Sequence, residues 1–290
     1  MSRIKGTPSD GSDFEREVGV SQPLELRGLS FVGIAAILVV IVFFGCGKKQ
    51  DQQPSSLPVS DKALPPMVVD PTTAGSISGG AFLDGSLPVI RPVDMGSEPA
   101  CAKANSSPAT DVPVLAGDGG ALANAVVYVK GGLASQRFDS PRQPAVLDQK
   151  GCVYEPRVIA LMTNQPLQIR NDDATIHNVH AMAKANGEWN KAQRPGAAPL
   201  ETSFARPELA IPFMCNVHPW MRAFVFVFDH PYYSVTPREG KFALHNLPPG
   251  TYMIEAWHER LGTQDQMVTI GPRESKTISF RFKSSQISGH

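Results

Sequence analysis

The stretch FMCNVHPWM, Phe213 to Met221, gathers a cysteine, a histidine and a methionine within seven positions. A thiolate, imidazole and thioether are the groups that hold copper in electron-transfer sites. There, two histidines and one thiolate form a trigonal set, with methionine as a weak, long axial contact. Soft sulfur favours Cu(I) and imidazole suits both oxidation states, so such a set rearranges little on electron transfer. Cys215, His218 and Met221 supply three of the four groups. A loop joining two adjacent strands can present them, provided a second histidine arrives from a neighbouring loop at the same end of a sandwich.

The segment LQIRNDDATIHNVH offers two candidates, His177 and His180. Residues three apart in an extended strand point to opposite faces, so both reach one metal only if the chain turns between them. His180 could replace His177, or complete a His3Cys zinc site that is tetrahedral and redox-silent. Taken singly, each residue has a plainer reading: a buried thiol, a structural histidine, a methionine packed on Trp220. Their joint spacing points to a metal.

These segments resemble the two copper-ligand segments of plastocyanin-like cupredoxins. Asn171, His177 and Asn178 match the first, in which an asparagine precedes a His-Asn pair by five intervening residues. CNVHPWM matches the second. The resemblance spans residues 141–230. It implies one mononuclear copper held by His177, Cys215, His218 and Met221, with Asn178 tying the two ligand loops together. It also implies electron entry through His218, its ring edge near an apolar surface containing Pro219 and Trp220. Only those two residues separate His218 from Met221, an ending that resembles the binuclear copper domains of terminal oxidases. Those domains need two cysteines in the loop; with Cys215 alone, a mononuclear site is expected.

The elements that must position these residues read as strands. Short β-branched and aromatic runs are punctuated by Gly, Pro and Asn, among them AVVYV, CVYEPRVIALM, PLQIRN, LAIPFM, AFVFVF, TYMIEAW, QMVTI and TISFRF. AFVFVF (223–228) is apolar on both faces, the pattern of a central strand covered on either side. Farther on, GKFAL and PPGTY within YYSVTPREGKFALHNLPPGTYMIEAWHE resemble carboxypeptidase regulatory-like, transthyretin-like sandwiches. GSISGGAFLDG with LANAVVYV resembles the first half of such a module. The expected fold is all-β: a Greek-key cupredoxin sandwich over 75–230, with 141–230 as the minimal copper module, and a second immunoglobulin-like or transthyretin-like sandwich over 231–283. Residues 75–130 could complete the second, with the copper module inserted in it.

Ahead of these lies an expected anchor over 1–46. LSFVGIAAILVVIVFF (29–44) is the long apolar run of the chain, about 24 Å as a helix. The following FFGCGKKQ resembles the lipobox of bacterial lipoproteins, with Cys46 as the lipidated residue. A retained transmembrane helix is the alternative, and both place the rest of the chain at a membrane, on the periplasmic or extracellular side of a bacterial cell. Residues 47–74, polar and proline-rich, read as a flexible tether spanning about 30 Å. With Cys46 lipidated and Cys215 on copper, Cys101 and Cys152 remain to form a disulfide in a compartment where disulfides persist.

Lysine plus arginine number 27 and aspartate plus glutamate 27, so no net field steers the chain toward nucleic acid. No Cys-x-x-Cys-His, Gly-x-Ser-x-Gly or phosphate-binding glycine loop occurs. His245 and His258 have no cysteine nearby in sequence and read as structural or exposed. The sequence therefore points to an exported, membrane-tethered copper protein that carries electrons between redox partners of a respiratory or periplasmic system, not to an enzyme. Copper binding or delivery, and a metal-free or zinc-stabilised adhesive sandwich, are the alternatives.

Overall fold

The strands follow the turn chemistry that bounds them. The computed structural model describes residues 66–88, 92–105, 113–133 and 136–287, all within the compact unit Ser60–His290. In chain order these carry β1 (Gly75–Asp84), the short helix α1 (Pro99–Ala104), β2 (Val126–Gly131), β3 (Ala145–Lys150), β4 (Val153–Glu155), β5 (Val158–Met162), β6 (Leu167–Asn171), β7 (His177–Ala181), β8 (Trp189–Gln193) and β9 (Leu200–Thr202). Then follow β10 (Glu208–Met214), β11 (Arg222–Phe228), β12 (Tyr233–Val235), β13 (Lys241–Leu247), β14 (Gly250–His258), β15 (Gly262–Ile270) and β16 (Ser275–Lys283). The fold is all-β, as the alternating runs predict. The expected anchor, Cys46 and most of the tether lie outside the described residues. Among the described residues no helix is long and apolar enough to cross a membrane. The described end of the stretch 47–74 is tied to the fold: the Met67 N–H donates to the Arg137 carbonyl at 2.7 Å.

Four sheets stack in layers. One, ordered β13-β1-β16, shares a core with a second, β12-β2-β14-β15; Ile77, Leu122, Ile254, Phe280 and Phe282 are among its wholly apolar members. A third sheet, β5-β11-β10-β7-β8, shares another core with a fourth, β4-β3-β6-β9, around Leu147, Leu167, Ile169, Phe213 and Val225. β1 pairs with β13 and β16, and β2 with β12 and β14, so these two N-terminal strands hydrogen-bond into the sheets of the C-terminal ones.

β11 shows why AFVFVF is apolar on both faces. Ala223, Val225 and Val227 enter the core shared with the fourth sheet. Phe224, Phe226 and Phe228 point the other way, onto Val126, Tyr128 and Trp257 of the neighbouring sandwich. The run CVYEPRVIALM is not one strand, because Pro156 lacks the N–H a ladder needs and splits it into β4 and β5. β5 then pairs parallel to β11. The turn before β13 uses Gly240 at φ 67°, where a Cβ would lie 2.6 Å from the Ala81 carbonyl oxygen.

Candidate metal centre

β7 and β10 pair antiparallel, Phe213 opposite Ala181 and Met214 opposite His180. That register brings the start of β7, where His177 sits, beside the loop that leaves β10 with Cys215. The loop folds back on itself: the Met221 N–H donates to the His218 carbonyl at 2.9 Å and the Cys215 N–H to the Met221 carbonyl at 3.3 Å.

Three predicted residues converge in the interior. His177 Nδ1 lies 2.9 Å from His218 Nδ1, and Cys215 Sγ lies 3.7 Å from His218 Nδ1 and 4.0 Å from His177 Nδ1. All three side chains are buried. First-row metal bonds of about 2.0 Å to nitrogen and about 2.3 Å to thiolate let one ion bridge nitrogens up to about 4.0 Å apart, and nitrogen to sulfur up to about 4.3 Å. Every side of this triangle is within those limits, so the donor set fits a single ion with two imidazoles and one thiolate. Met221 is buried in the same core.

Asn178 links the two segments. Its Oδ1 accepts from the Asn216 and Val217 N–H groups at 2.6 and 3.3 Å, and lies 3.4 Å from Cys215 Sγ. Its own N–H points at the same sulfur, 3.5 Å away. The Tyr154 hydroxyl lies within hydrogen-bonding distance of both the Asn178 and Met214 carbonyls, pinning β7 and β10 from the opposite sheet.

His180 is not brought into the triangle. Its Nδ1 lies 3.2 Å from Asn216 Oδ1 and its Nε2 2.6 Å from Glu188 Oε1, on the outer side of the strand.

Cys101 and Cys152 form the expected disulfide, and it sits against the centre. Cys101 Sγ is 3.5 Å from His218 Nε2, and Glu98 Oε2 is 3.7 Å from the same nitrogen. His218 is therefore fully buried, where the sequence led us to expect a ring edge near the surface. Segment 98–101, stapled to Cys152, covers that edge. Trp220 remains half-buried beside it, its ring centroid 5.3 Å from that of His218 and its Nε1 donating to the Cys152 carbonyl at 2.9 Å.

Sequence reasoning missed Asp173. Its Oδ2 lies 3.0 Å from His177 Nε2 and also accepts from the Cys152 N–H, while Oδ1 accepts from the Gly151 N–H. A carboxylate on the far nitrogen of a ligating histidine fixes the ring and its tautomer. The signal was an aspartate four positions before His177. Glu98 carried no comparable signal.

Electrostatics follow from this packing. Burial pushes the Cys215 thiol up, but hydrogen bonds from His177 and from the N–H groups around the sulfur outweigh it, and the net shift is downward, toward thiolate. For His177, burial lowers the pKa, yet the bonds to Asp173 and Cys215 raise it overall. Burial and the neighbouring His177 lower that of His218.

No family model matches the chain, and no curated protein matches it. Solved structures do. A Cu-containing nitrite reductase from Thermus scotoductus SA-01 aligns at 14% identity and TM-score 0.29 over 35% of this chain. The chain spans only 26% of that enzyme's length. A purple cupredoxin from Nitrosopumilus maritimus aligns at 19% identity and TM-score 0.25, over 29% of this chain and 98% of its own. A reduced single-site mutant of amicyanin aligns at 23% identity and TM-score 0.27, over 36% of this chain and 98% of its own.

Proposed function

We infer that the chain is a mononuclear copper protein of the cupredoxin class that carries single electrons between redox partners. The observation that carries this reading is the convergence of His177 Nδ1, His218 Nδ1 and Cys215 Sγ on one buried point. Bound there, copper supplies one-electron redox chemistry. The chain's own residues keep the donors in place: Asp173 holds the His177 ring, and Asn178 fixes the loop bearing Cys215. Burial of all three donors excludes water, and Met221, buried in the same core, would complete the set of residues that hold the copper. A donor set held this firmly from outside is suited to an electron carrier, since little has to move between oxidation states. The proposal includes tethering through residues 1–46 at the periplasmic or extracellular face of a bacterial membrane, with respiratory or periplasmic redox proteins as partners.

The test is copper titration of the full-length protein followed by optical spectroscopy. One equivalent should bind and produce an intense visible band from thiolate to Cu(II), and Cys215→Ser should abolish that band without unfolding the protein. A colourless Cu(II) complex, or a preference for zinc, would sink the carrier reading in favour of metal delivery or structure.

A further inference from the structure

The two ring nitrogens that face away from the triangle both lead to Cys152. On one side, the Cys152 N–H donates to Asp173 Oδ2 at 2.8 Å, and that oxygen lies 3.0 Å from His177 Nε2. On the other, the Cys152 side chain is bonded to Cys101, whose Sγ lies 3.5 Å from His218 Nε2. A third link runs from the Trp220 Nε1–H to the Cys152 carbonyl and holds the ring beside His218. Cys152 is wholly buried and sits at φ 56°, in the left-handed region that a side chain enters at a cost. Gly151 before it has φ 65°, and together they make the two-residue turn that joins β3 to β4. A turn with positive φ at both central residues favours Gly, Asn and Asp, so its own chemistry does not select a cysteine.

We propose that the Cys101–Cys152 bridge positions His218 for the metal as Asp173 positions His177, with Cys152 joining the two supports, and that it belongs to the metal centre rather than serving as a staple of the fold. The proposal rests on reading the triangle as a copper centre. A histidine that offers Nδ1 to a metal carries its proton on Nε2, and whatever that N–H meets sets the tautomer and the tilt of the ring. His177 meets a carboxylate. The nearest atom to His218 Nε2 is a disulfide sulfur, a weak acceptor, with Glu98 Oε2 at 3.7 Å. A weak acceptor holds a ring by contact more than by attraction, so His218 depends on the sulfur staying where the bridge fixes it. The fold has other ties at this place. Asn105 Nδ2 donates to the Cys101 carbonyl at 2.8 Å and to the Gly151 carbonyl at 3.0 Å, seating α1 on the β3–β4 turn without the bridge.

Two double variants of the full-length protein remove the same bridge with opposite effects on the turn. Cys101→Ala with Cys152→Ala leaves a side chain in the left-handed region, whereas Cys101→Ala with Cys152→Gly relieves it and should unfold at higher denaturant concentration. The first readout needs no metal. Imidazole resonances of the nitrogen-15-labelled parent should show slowly exchanging Nε2–H protons on His177 and His218; both variants should lose the one on His218 and keep the one on His177. Copper is then added. Both variants should bind it about tenfold more weakly than the parent, measured by chelator competition. Their reduction potentials should move down, because water admitted at the ring edge favours the higher charge of Cu(II). A His218 proton that stays protected without the bridge, or a copper affinity restored to the parent value by the glycine, would overturn the proposal. Failure of both variants to fold would do the same, since the bridge would then be a staple of the fold. If the resonances behave as expected but the parent binds no copper, the positioning stands and the copper reading falls.

Discussion

The sandwich of β1, β2 and β12–β16 fills its core with aliphatic and aromatic side chains, whereas that of β3–β11 seals Asn171, Asp173, His177, Asn178, Gln193 and His218 among its leucines and phenylalanines. Polar groups in an apolar interior cost free energy unless partnered, and here they are partnered closely. Asn171 Nδ2 donates to the Thr175 and Gln193 carbonyls, and Gln193 accepts from Gln149 at 2.7 Å. The few polar residues buried in the other sandwich lie elsewhere. Glu255 is bound by Tyr128 and Lys130, and His258 Nδ1 accepts from the Arg260 N–H at 3.3 Å. Two sandwiches of similar strand content thus divide the work: one supplies packing, the other holds a preorganised donor set. That division can be broken experimentally.

The largest effect belongs to the packing half. Phe280 is fully buried and its ring lies 6.0 Å from that of Phe242. Phe280→Ala should cost about 4 kcal/mol in denaturant unfolding, while leaving the visible spectrum of the copper-loaded protein unchanged. Loss of the spectrum along with stability would show that the two sandwiches cannot be separated energetically.

His258 sharpens the comparison through pH. Its folded pKa, about 4, lies below the ordinary histidine value, so the unfolded chain takes up the proton first as pH falls. Its contribution to stability is therefore whole above pH about 6.5 and is lost on the way down to about 4, a total of about 3 kcal/mol. Chemical denaturation at several pH values should show His258→Gln with a shallower loss over this window than the parent protein. Parallel curves would mean that His258 is not held neutral by its surroundings.

A smaller effect is expected at the donor set. Asp173→Asn keeps the shape but removes the charge facing His177 Nε2. Copper affinity should fall by about 10- to 100-fold, measured by competition with a chelator, with unfolding of the metal-free protein changed much less. An equal loss in both would make Asp173 a structural residue like those of the apolar sandwich.

How much of this was legible in the sequence depended on how local the information is. Cys215, His218 and Met221 share one short loop, so their proximity needs no knowledge of the fold. The two-faced apolarity of β11 likewise announced a covered central strand. Asp173 was missed because an Asn-Asp-Asp run before a strand reads equally as a turn, and only the approach of His177 reveals its second use. The cover over His218 was beyond reach for another reason. Cys101 lies 117 residues away in sequence, and a cysteine pairing fixes which sulfurs join but not what the bridge rests on. The parallel pairing of β5 with β11 leaves no pattern in either segment.

The smallest effect should come from His180, three residues from His177 on the same strand. His177 is buried with Nδ1 in the triangle and Nε2 on Asp173. The outward-facing ring of His180 is bound by Asn216 and Glu188, and the hydrogen bond to Glu188, followed by that to Asn216, raises its pKa. His180→Ala removes two hydrogen bonds at a surface where water replaces them, so stability should change by no more than about 0.5 kcal/mol. Copper affinity and the visible band should hold as well. His177→Ala, by contrast, should remove the strong band or convert it to the weak spectrum of ordinary Cu(II). Comparable damage from both changes would require the chain to turn between them and bring a third imidazole to the metal. The centre would then be a His3Cys site, in which structure or storage replaces electron transfer.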